Sequence, residues 1–159
     1  PGKGTRFRVY LPAVDPELNN QPIEAAKAIQ GGKETILLVD DDHTIQHSGK
    51  KILRRAGYTM LTASGGEEAL AIHKQLTSKI DLVLLDLIMP GMGGIKCLKE
   101  LKAINPDLKI IIISGDSPDE AATQIIQTCA SAYLAKPYTS GQLLTTIRNV
   151  QKDGSASMH

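Results

Sequence analysis

Aromatic side chains are scarce in this sequence: its 159 residues hold one Phe, four Tyr and no Trp. A platform that stacks unpaired bases needs several exposed rings, so a single-stranded nucleic-acid binder is not expected. An excess of charge is missing too. Lys and Arg number 18 against 17 Asp and Glu, a net charge of +1, which predicts neither a nucleic-acid surface nor an acidic tail. Cysteine is limited to Cys97 and Cys129, far apart and without a CxxC partner. That spacing argues against a disulfide framework or a zinc site; both fall at apolar positions of predicted helices and read as core fillers. His43, His47, His73 and His159 read as surface residues, and the His43/His47 pair lacks a third ligand nearby. No apolar run approaches the roughly 20 residues of a membrane span, and no signal-peptide pattern is visible. The expectation is no nucleic-acid partner, no membrane contact by this stretch of chain, and a cytoplasmic location. A start at Pro1 without Met predicts a piece of something longer.

What remains is a globular composition, 42% hydrophobic and 22% charged, sized for one domain plus a short extra segment. Residues 5–11 alternate polar and apolar, with Phe7, Val9 and Leu11 on one face, and Pro12 ends this strand pattern. Residues 13–33 turn to Pro, Asn, Gln, Gly and Ala and read as a linker closed by Gly31-Gly32, with a short helix over Ile23 to Ile29. A lone strand cannot bury its own apolar face, so residues 1–12 are not an independent domain.

From residue 34 the texture changes. Nearly continuous apolar runs occur at Ile36–Val39, Leu82–Leu85, Ile110–Ile113 and Ala132–Ala135, with a weaker one at Tyr58–Leu61. Continuous hydrophobicity is what strands covered on both faces require, which predicts a parallel sheet between helices. Helical stripes lie between the runs: Ala122, Ile125, Ile126 and Cys129 form one, Leu143, Leu144, Ile147 and Val150 another. Capping boxes are expected at Ser64/Glu67, at Ser117/Glu120 with Pro118 in the first turn, and at Thr139/Gln142. Five strands alternating with five helices predict a doubly wound α/β domain over residues 34–152, followed by a polar tail at 153–159. Gly49, inside the first helix, costs it about 1 kcal/mol relative to Ala with no functional reason visible.

Ligands of open parallel sheets sit beyond the carboxyl ends of the strands. There the sequence places Asp40-Asp41-Asp42, Asp86, Ser114-Gly115 and Lys136-Pro137. A single Asp at a strand end usually marks a solvated turn. Acidic, hydroxyl and ammonium groups at four strand ends form a constellation. Neighbouring carboxylates repel one another. A hard divalent cation removes that cost, and Mg²⁺ suits carboxylates, a backbone carbonyl and water. Mg²⁺ gathers phosphate oxygens, and Lys136 and Ser114 can hold others, so the expected chemistry is phosphoryl transfer to a carboxylate.

Val39-Asp40-Asp41-Asp42, Leu85-Asp86-Leu87-Ile88-Met89-Pro90-Gly91-Met92-Gly93-Gly94, Ser114-Gly115 and Lys136-Pro137 together resemble the receiver domain of bacterial response regulators. The resemblance covers about residues 34–152 and implies the CheY-like, flavodoxin-like strand order 2-1-3-4-5. It implies Asp86 as phosphoacceptor and Asp40 and Asp41 as the metal-binding pair, with Asp86 and the Ile88 backbone carbonyl completing the protein's share of the Mg²⁺ shell (Mn²⁺ being an alternative). It further implies Ser114 as switch hydroxyl, Lys136 as the phosphoryl-contacting lysine before a cis Lys136-Pro137 bond, and Tyr133 as switch aromatic. Asp42 fits a helix start better than a ligand. Two departures stand out: Ser114 replaces the commoner Thr, and Ile88 lacks a group to orient an attacking water. The second predicts slow self-dephosphorylation unless Asp116 compensates.

Residues 2–12 resemble the last strand of a histidine-kinase ATP-binding domain. A kinase strand, a linker and a receiver in that order imply a hybrid sensor histidine kinase. The expected partners are then a phosphohistidine domain, in cis or in trans, and a histidine phosphotransfer protein. A stand-alone response regulator acting through protein contacts is the alternative, and a pseudo-receiver that binds partners without phosphorylation is a third reading. A haloacid-dehalogenase-type phosphatase is more distant. Asp40-Asp41-Asp42-His43-Thr44 fits its D-x-D-x-T pattern, with Asp40 as nucleophile and Asp42 as acid/base. That reading leaves Asp86 without a role and finds only Asp153 downstream of the lysine. The Gly91-Met92-Gly93-Gly94 run lacks the spacing of a dinucleotide fingerprint.

Overall fold

The computed structural model describes residues 31–76 and 79–153. The strand expected over 5–11 and the helix over Ile23–Ile29 lie outside them. Five strands and five helices alternate: β1 Thr35–Val39, α1 His43–Arg55, β2 Thr59–Ala63, α2 Gly66–Leu76, β3 Leu82–Asp86, α3 Gly94–Ile104, β4 Lys109–Ser114, α4 Glu120–Cys129, β5 Ala132–Ala135 and α5 Ser140–Asp153. All strand pairs are parallel, in the order β2-β1-β3-β4-β5. This is the predicted doubly wound architecture.

Side chains alternate across each strand, so the apolar runs of the central strands feed two cores, whereas the edge strand β5, expected to be covered on both faces, packs only Ala132 and Leu134 and leaves Tyr133 and Ala135 exposed. Leu37, Val39, Val83, Leu85, Ile110 and Ile112 pack with Ala69 and Leu70 of α2, Cys97, Leu98 and Leu101 of α3, and Ile126 of α4. Ile36, Leu38, Leu82, Leu84, Ile111 and Ile113 pack on the other face with Leu53 of α1 and Leu143, Ile147 and Val150 of α5. Each fully buried Leu or Ile contributes about 1.5–3 kcal/mol. Double coverage also explains why the runs are uninterrupted: no face of the central strands meets water. Cys97 is buried, as expected, and Cys129 is partly so.

Gly49 now has a reason. It is buried on the sheet-facing side of α1, and a β-carbon there would come within 2.9 Å of Leu38 Cδ2. Helix propensity is given up for close packing of α1 on β1.

The helix caps separate into kept and corrected expectations. Asp42 caps α1, accepting the Thr44 amide at 2.7 Å. Thr139 and Gln142 form the reciprocal box expected for α5, at 2.8 and 3.2 Å. At α2 it is Glu68, not Glu67, that accepts the Ser64 amide, at 2.7 Å, because the helix begins only at Gly66. At α4 the cap is Asp119, which accepts the Ala122 amide at 2.7 Å, and Ser117 stays outside the helix. A carboxylate two residues closer to the helix is the stronger acceptor. His73 also differs from expectation: it is fully buried in α2 rather than on the surface.

Candidate functional site

Strand register brings the chemistry together. Val39 pairs with Leu85 and Asp86 with Ile113, while Ser114 pairs with Ala135. Asp40, Asp86, Ser114 and Lys136 therefore arrive at one carboxyl-terminal edge of the sheet, at the ends of four adjacent strands. Asp86 is 8% exposed and Ser114 1%, at the floor of the crevice, whereas Asp41 is open to solvent.

Lys136 Nζ bridges the two buried acids, 2.7 Å from Asp86 Oδ2 and 3.1 Å from Asp40 Oδ2. The other oxygens are held by main-chain amides: Asp40 Oδ1 accepts from Asp42 at 2.9 Å, and Asp86 Oδ1 from Ile88 at 3.1 Å. Burial raises the Asp40 pKa above the usual carboxylate value, against the lowering effect of the Asp42 amide and Lys136. Burial works against the Lys136 ammonium as well, yet hydrogen bonds and charge from Asp86 and Asp40 leave its pKa raised. The ammonium therefore stays charged at neutral pH.

Carboxylate oxygens of Asp40, Asp41 and Asp86 lie within 4.8 Å of one another. Against these three negative charges stands one ammonium, so the cluster retains a deficit of positive charge. Hard oxygen donors at this separation, with one member facing solvent, fit a hydrated divalent cation. Asp42 does not join them: its carboxylate is taken up by the Thr44 amide, which lowers its pKa. The arrangement D-x-D-x-T thus ends in a helix cap, not in a second catalytic acid.

Gln46 was not singled out by its sequence context, yet it organises the acidic loop. Its side-chain amide donates to the Asp40 carbonyl at 2.6 Å and to the Ala63 carbonyl at 3.2 Å, and lies 3.4 Å from Ser64 Oγ. One buried amide ties the ends of β1 and β2. Its position on the buried face of an otherwise polar helix was the only available signal.

Beyond β4, Ser114 Oγ donates to the Asp116 carbonyl at 3.0 Å and accepts the Asp116 amide at 3.3 Å. The Tyr133 hydroxyl donates to the same carbonyl at 3.3 Å, and its ring is 40% exposed. The Lys136-Pro137 bond is cis, as expected. Ile88 is 57% exposed.

Fold and crevice define a two-component receiver. Residues 36–148 match the family of the response regulator receiver domain, and the chain belongs to it. It is 34% identical over 157 residues to the sensor kinase CckA of Brucella abortus (strain 2308), with 94% of this chain and 17% of that protein covered. This chain thus spans about a sixth of that relative. Its identity to the chemotaxis protein CheY of Thermotoga maritima is 32% over 118 residues, covering 74% of this chain and 97% of that protein. Among solved structures, a response regulator receiver domain protein from Clostridium thermocellum superposes with a TM-score of 0.73 at 34% identity, over 79% of this chain and 99% of that one. Among the described residues no helix is long and apolar enough to cross a membrane.

Proposed function

We propose that Asp86 accepts a phosphoryl group from a phosphohistidine, in a reaction that requires Mg²⁺ and accepts Mn²⁺ in its place. The observation that carries this reading is the Lys136 bridge between Asp86 and Asp40, with Asp41 beside them. A carboxylate oxygen of Asp86 attacks phosphorus, a P–O bond forms, the P–N bond to imidazole breaks, and the electron pair leaves with the imidazole. Lys136 already lies within hydrogen-bond distance of the attacking carboxylate, so its ammonium is placed to follow charge onto a phosphoryl oxygen. The Ile88 amide keeps the second Asp86 oxygen from rotating, which holds the attack in line. Asp40, Asp41, Asp86 and the Ile88 carbonyl would hold the cation, which supplies charge neutralisation of the phosphoryl oxygens. Ser114 then exchanges the Asp116 carbonyl for the phosphoryl group, and Tyr133, released from the same carbonyl, turns inward.

We further infer that this receiver belongs to a hybrid sensor histidine kinase. The match to the sensor kinase takes in 94% of this chain. It therefore reaches into the segment ahead of β1, where the kinase-like strand at 1–12 and the linker at 13–33 were read. The phosphohistidine donor would then be available in cis, a histidine phosphotransfer protein would be the next partner, and the fragment would work in the cytoplasm. A stand-alone regulator is the second reading, favoured by the near-complete coverage of CheY.

Incubation with acetyl phosphate and Mg²⁺ tests the central claim. The wild type is expected to gain one phosphoryl group, seen by intact-mass spectrometry, and to lose it on addition of chelator and hydroxylamine. Asp86→Asn is expected to gain none. A wild type that stays unmodified, or an Asp86→Asn protein modified to the same extent, would overturn the assignment.

A further inference from the structure

The acidic crevice continues into an apolar groove. A cavity of about 360 Å³ runs between α1 and the loop from β5 to α5, lined by Ile45, Ile52, Pro137, Tyr138 and Leu143. Lys136, which bridges Asp86 and Asp40, lines it as well. An occupant of the groove therefore lies beside the ammonium that the crevice uses. Thr44 and Ser48, on the α1 wall of the groove, are exposed.

Further along α1 the surface becomes cationic. Lys50, Lys51, Arg54 and Arg55 fall within six positions, and the helix holds no Asp or Glu. With those four set aside, the 18 basic residues of the chain become 14, against 17 acidic ones. The stripe is thus a local concentration in a chain that is otherwise acidic. Among the described residues none of the four is in an ion pair. The helix dipole accounts for Arg54 and Arg55 in the last turn, but its effect does not extend to Lys50 and Lys51. Thr44, Ser48, Lys51 and Arg55 are all exposed and follow one another at helical spacings of four, three and four. One ridge therefore leads from the groove to the cations.

We propose that a partner helix lies along this ridge, with an apolar side chain in the groove and acidic side chains two to three turns further on, against Lys51 and Arg55. The spacing follows from the helix rise, since Ile45 and Arg55 are about 15 Å apart along the axis. A uniform polyanion does not fit. At the other end of α1 it would meet Asp41 and Asp42, both exposed. A folded partner whose acids are confined to one end of its contact avoids them. That this partner is the phosphohistidine-bearing domain rests on the reading of Asp86 as phosphoacceptor; the surface itself does not. The stripe would then govern which donor is met and how fast, the usual work of complementary charge at an interface.

The test uses the unphosphorylated full chain and two synthetic helical peptides. One carries a ridge of Leu followed, two to three turns on, by Glu; its twin has Lys in place of Glu. In amide NMR titrations the Glu peptide is expected to shift Ile45, Ile52, Lys51, Arg55 and Tyr138, with an affinity that falls as salt is added. Lys51→Glu combined with Arg55→Glu is expected to weaken the Glu peptide by about tenfold or more and to strengthen its Lys twin by a similar factor. Labelling by acetyl phosphate should be unchanged in that variant. Such a reversal of preference cannot arise from lost folding. Equal binding of the two peptides, binding of neither, or tighter capture of heparin than of the Glu peptide would overturn the proposal. A wild type that selects the Glu peptide but takes no label from acetyl phosphate would sink the phosphoacceptor reading and leave the surface standing.

Discussion

Ser114 and Tyr133 donate hydrogen bonds to one and the same acceptor, the main-chain oxygen of Asp116, at 3.0 and 3.3 Å. The hydroxyl at the floor of the acidic crevice and the ring that faces solvent are thereby joined through a single carbonyl. Anything that draws Ser114 away from Asp116 also changes what holds Tyr133 outward. Because the equilibrium moves only by the difference in interaction energy between the two states, the effect should need both hydroxyls.

With beryllofluoride and Mg²⁺ as a phosphoryl mimic, fluorotyrosine at position 133 is expected to shift in the NMR spectrum of the wild type. In Ser114→Ala the adduct should still form, but the Tyr133 resonance should stay near its unliganded position. An equal shift in both proteins would show that ring movement does not pass through Ser114.

Ile88 lies two residues after Asp86, the proposed phosphoacceptor, with its side chain in solvent and its amide on Asp86 Oδ1. It can shield the carboxylate but cannot orient a water. Ile88→Asn is expected to shorten the acyl-phosphate half-life, by about tenfold if an added positioning group acts as general acid–base residues do at their weakest. The decay of radiolabelled phosphoprotein measures it. A half-life that does not change would mean that another group, such as exposed Asp116, already positions the water.

Gln46 makes a different kind of contribution, through the Asp40 carbonyl. Gln46→Met keeps length and bulk but removes the donor, leaving buried carbonyls short of a partner, at a cost of about 1–3 kcal/mol. Urea denaturation should show that loss. If Gln46 positions the acidic loop, Mg²⁺ affinity should also fall, by roughly tenfold as for other groups behind a metal site. Unchanged Mg²⁺ affinity would confine its role to stability.

His73 supplies a pH dependence. Burial lowers its pKa below 6.5, so the folded protein keeps the imidazole neutral while the unfolded chain protonates near 6.5. Stability from this group is therefore complete above pH 6.5. It is lost as pH falls toward the folded-state pKa, at up to about 1.4 kcal/mol per pH unit. His73→Leu should lose less stability between pH 7 and pH 5 than the wild type does, as read from urea midpoints. Equal losses would assign the acid sensitivity to other groups.

The acidic site was legible in sequence because Asp40, Asp86, Ser114 and Lys136 each fall at the end of an apolar run, and short runs of that kind between helical patterns are strands of a parallel sheet, covered on both faces at its centre and on one face at the β5 edge. Asp86, Lys136 and Ser114 needed no knowledge of tertiary contacts to be placed at one edge. The caps were harder to read. Ser117 and Asp119 are both competent N-cap residues, and the choice between them rests on which acceptor reaches the first free amide. His73 looked like a surface residue because it is polar, but its place on the helix turns it inward. Gly49 looked like a flaw in α1 until Leu38 was found beneath it.

Order along the chain was thus sufficient for the layer architecture and for which side chains share the crevice, since periodicity and strand-end position are local properties. Distances belong to folding alone. The bridge from Lys136 to two acids, the amide of Gln46 across β1 and β2, and the carbonyl shared by Ser114 and Tyr133 all join residues from different elements. Such contacts depend on packing in three dimensions, which no window of sequence contains.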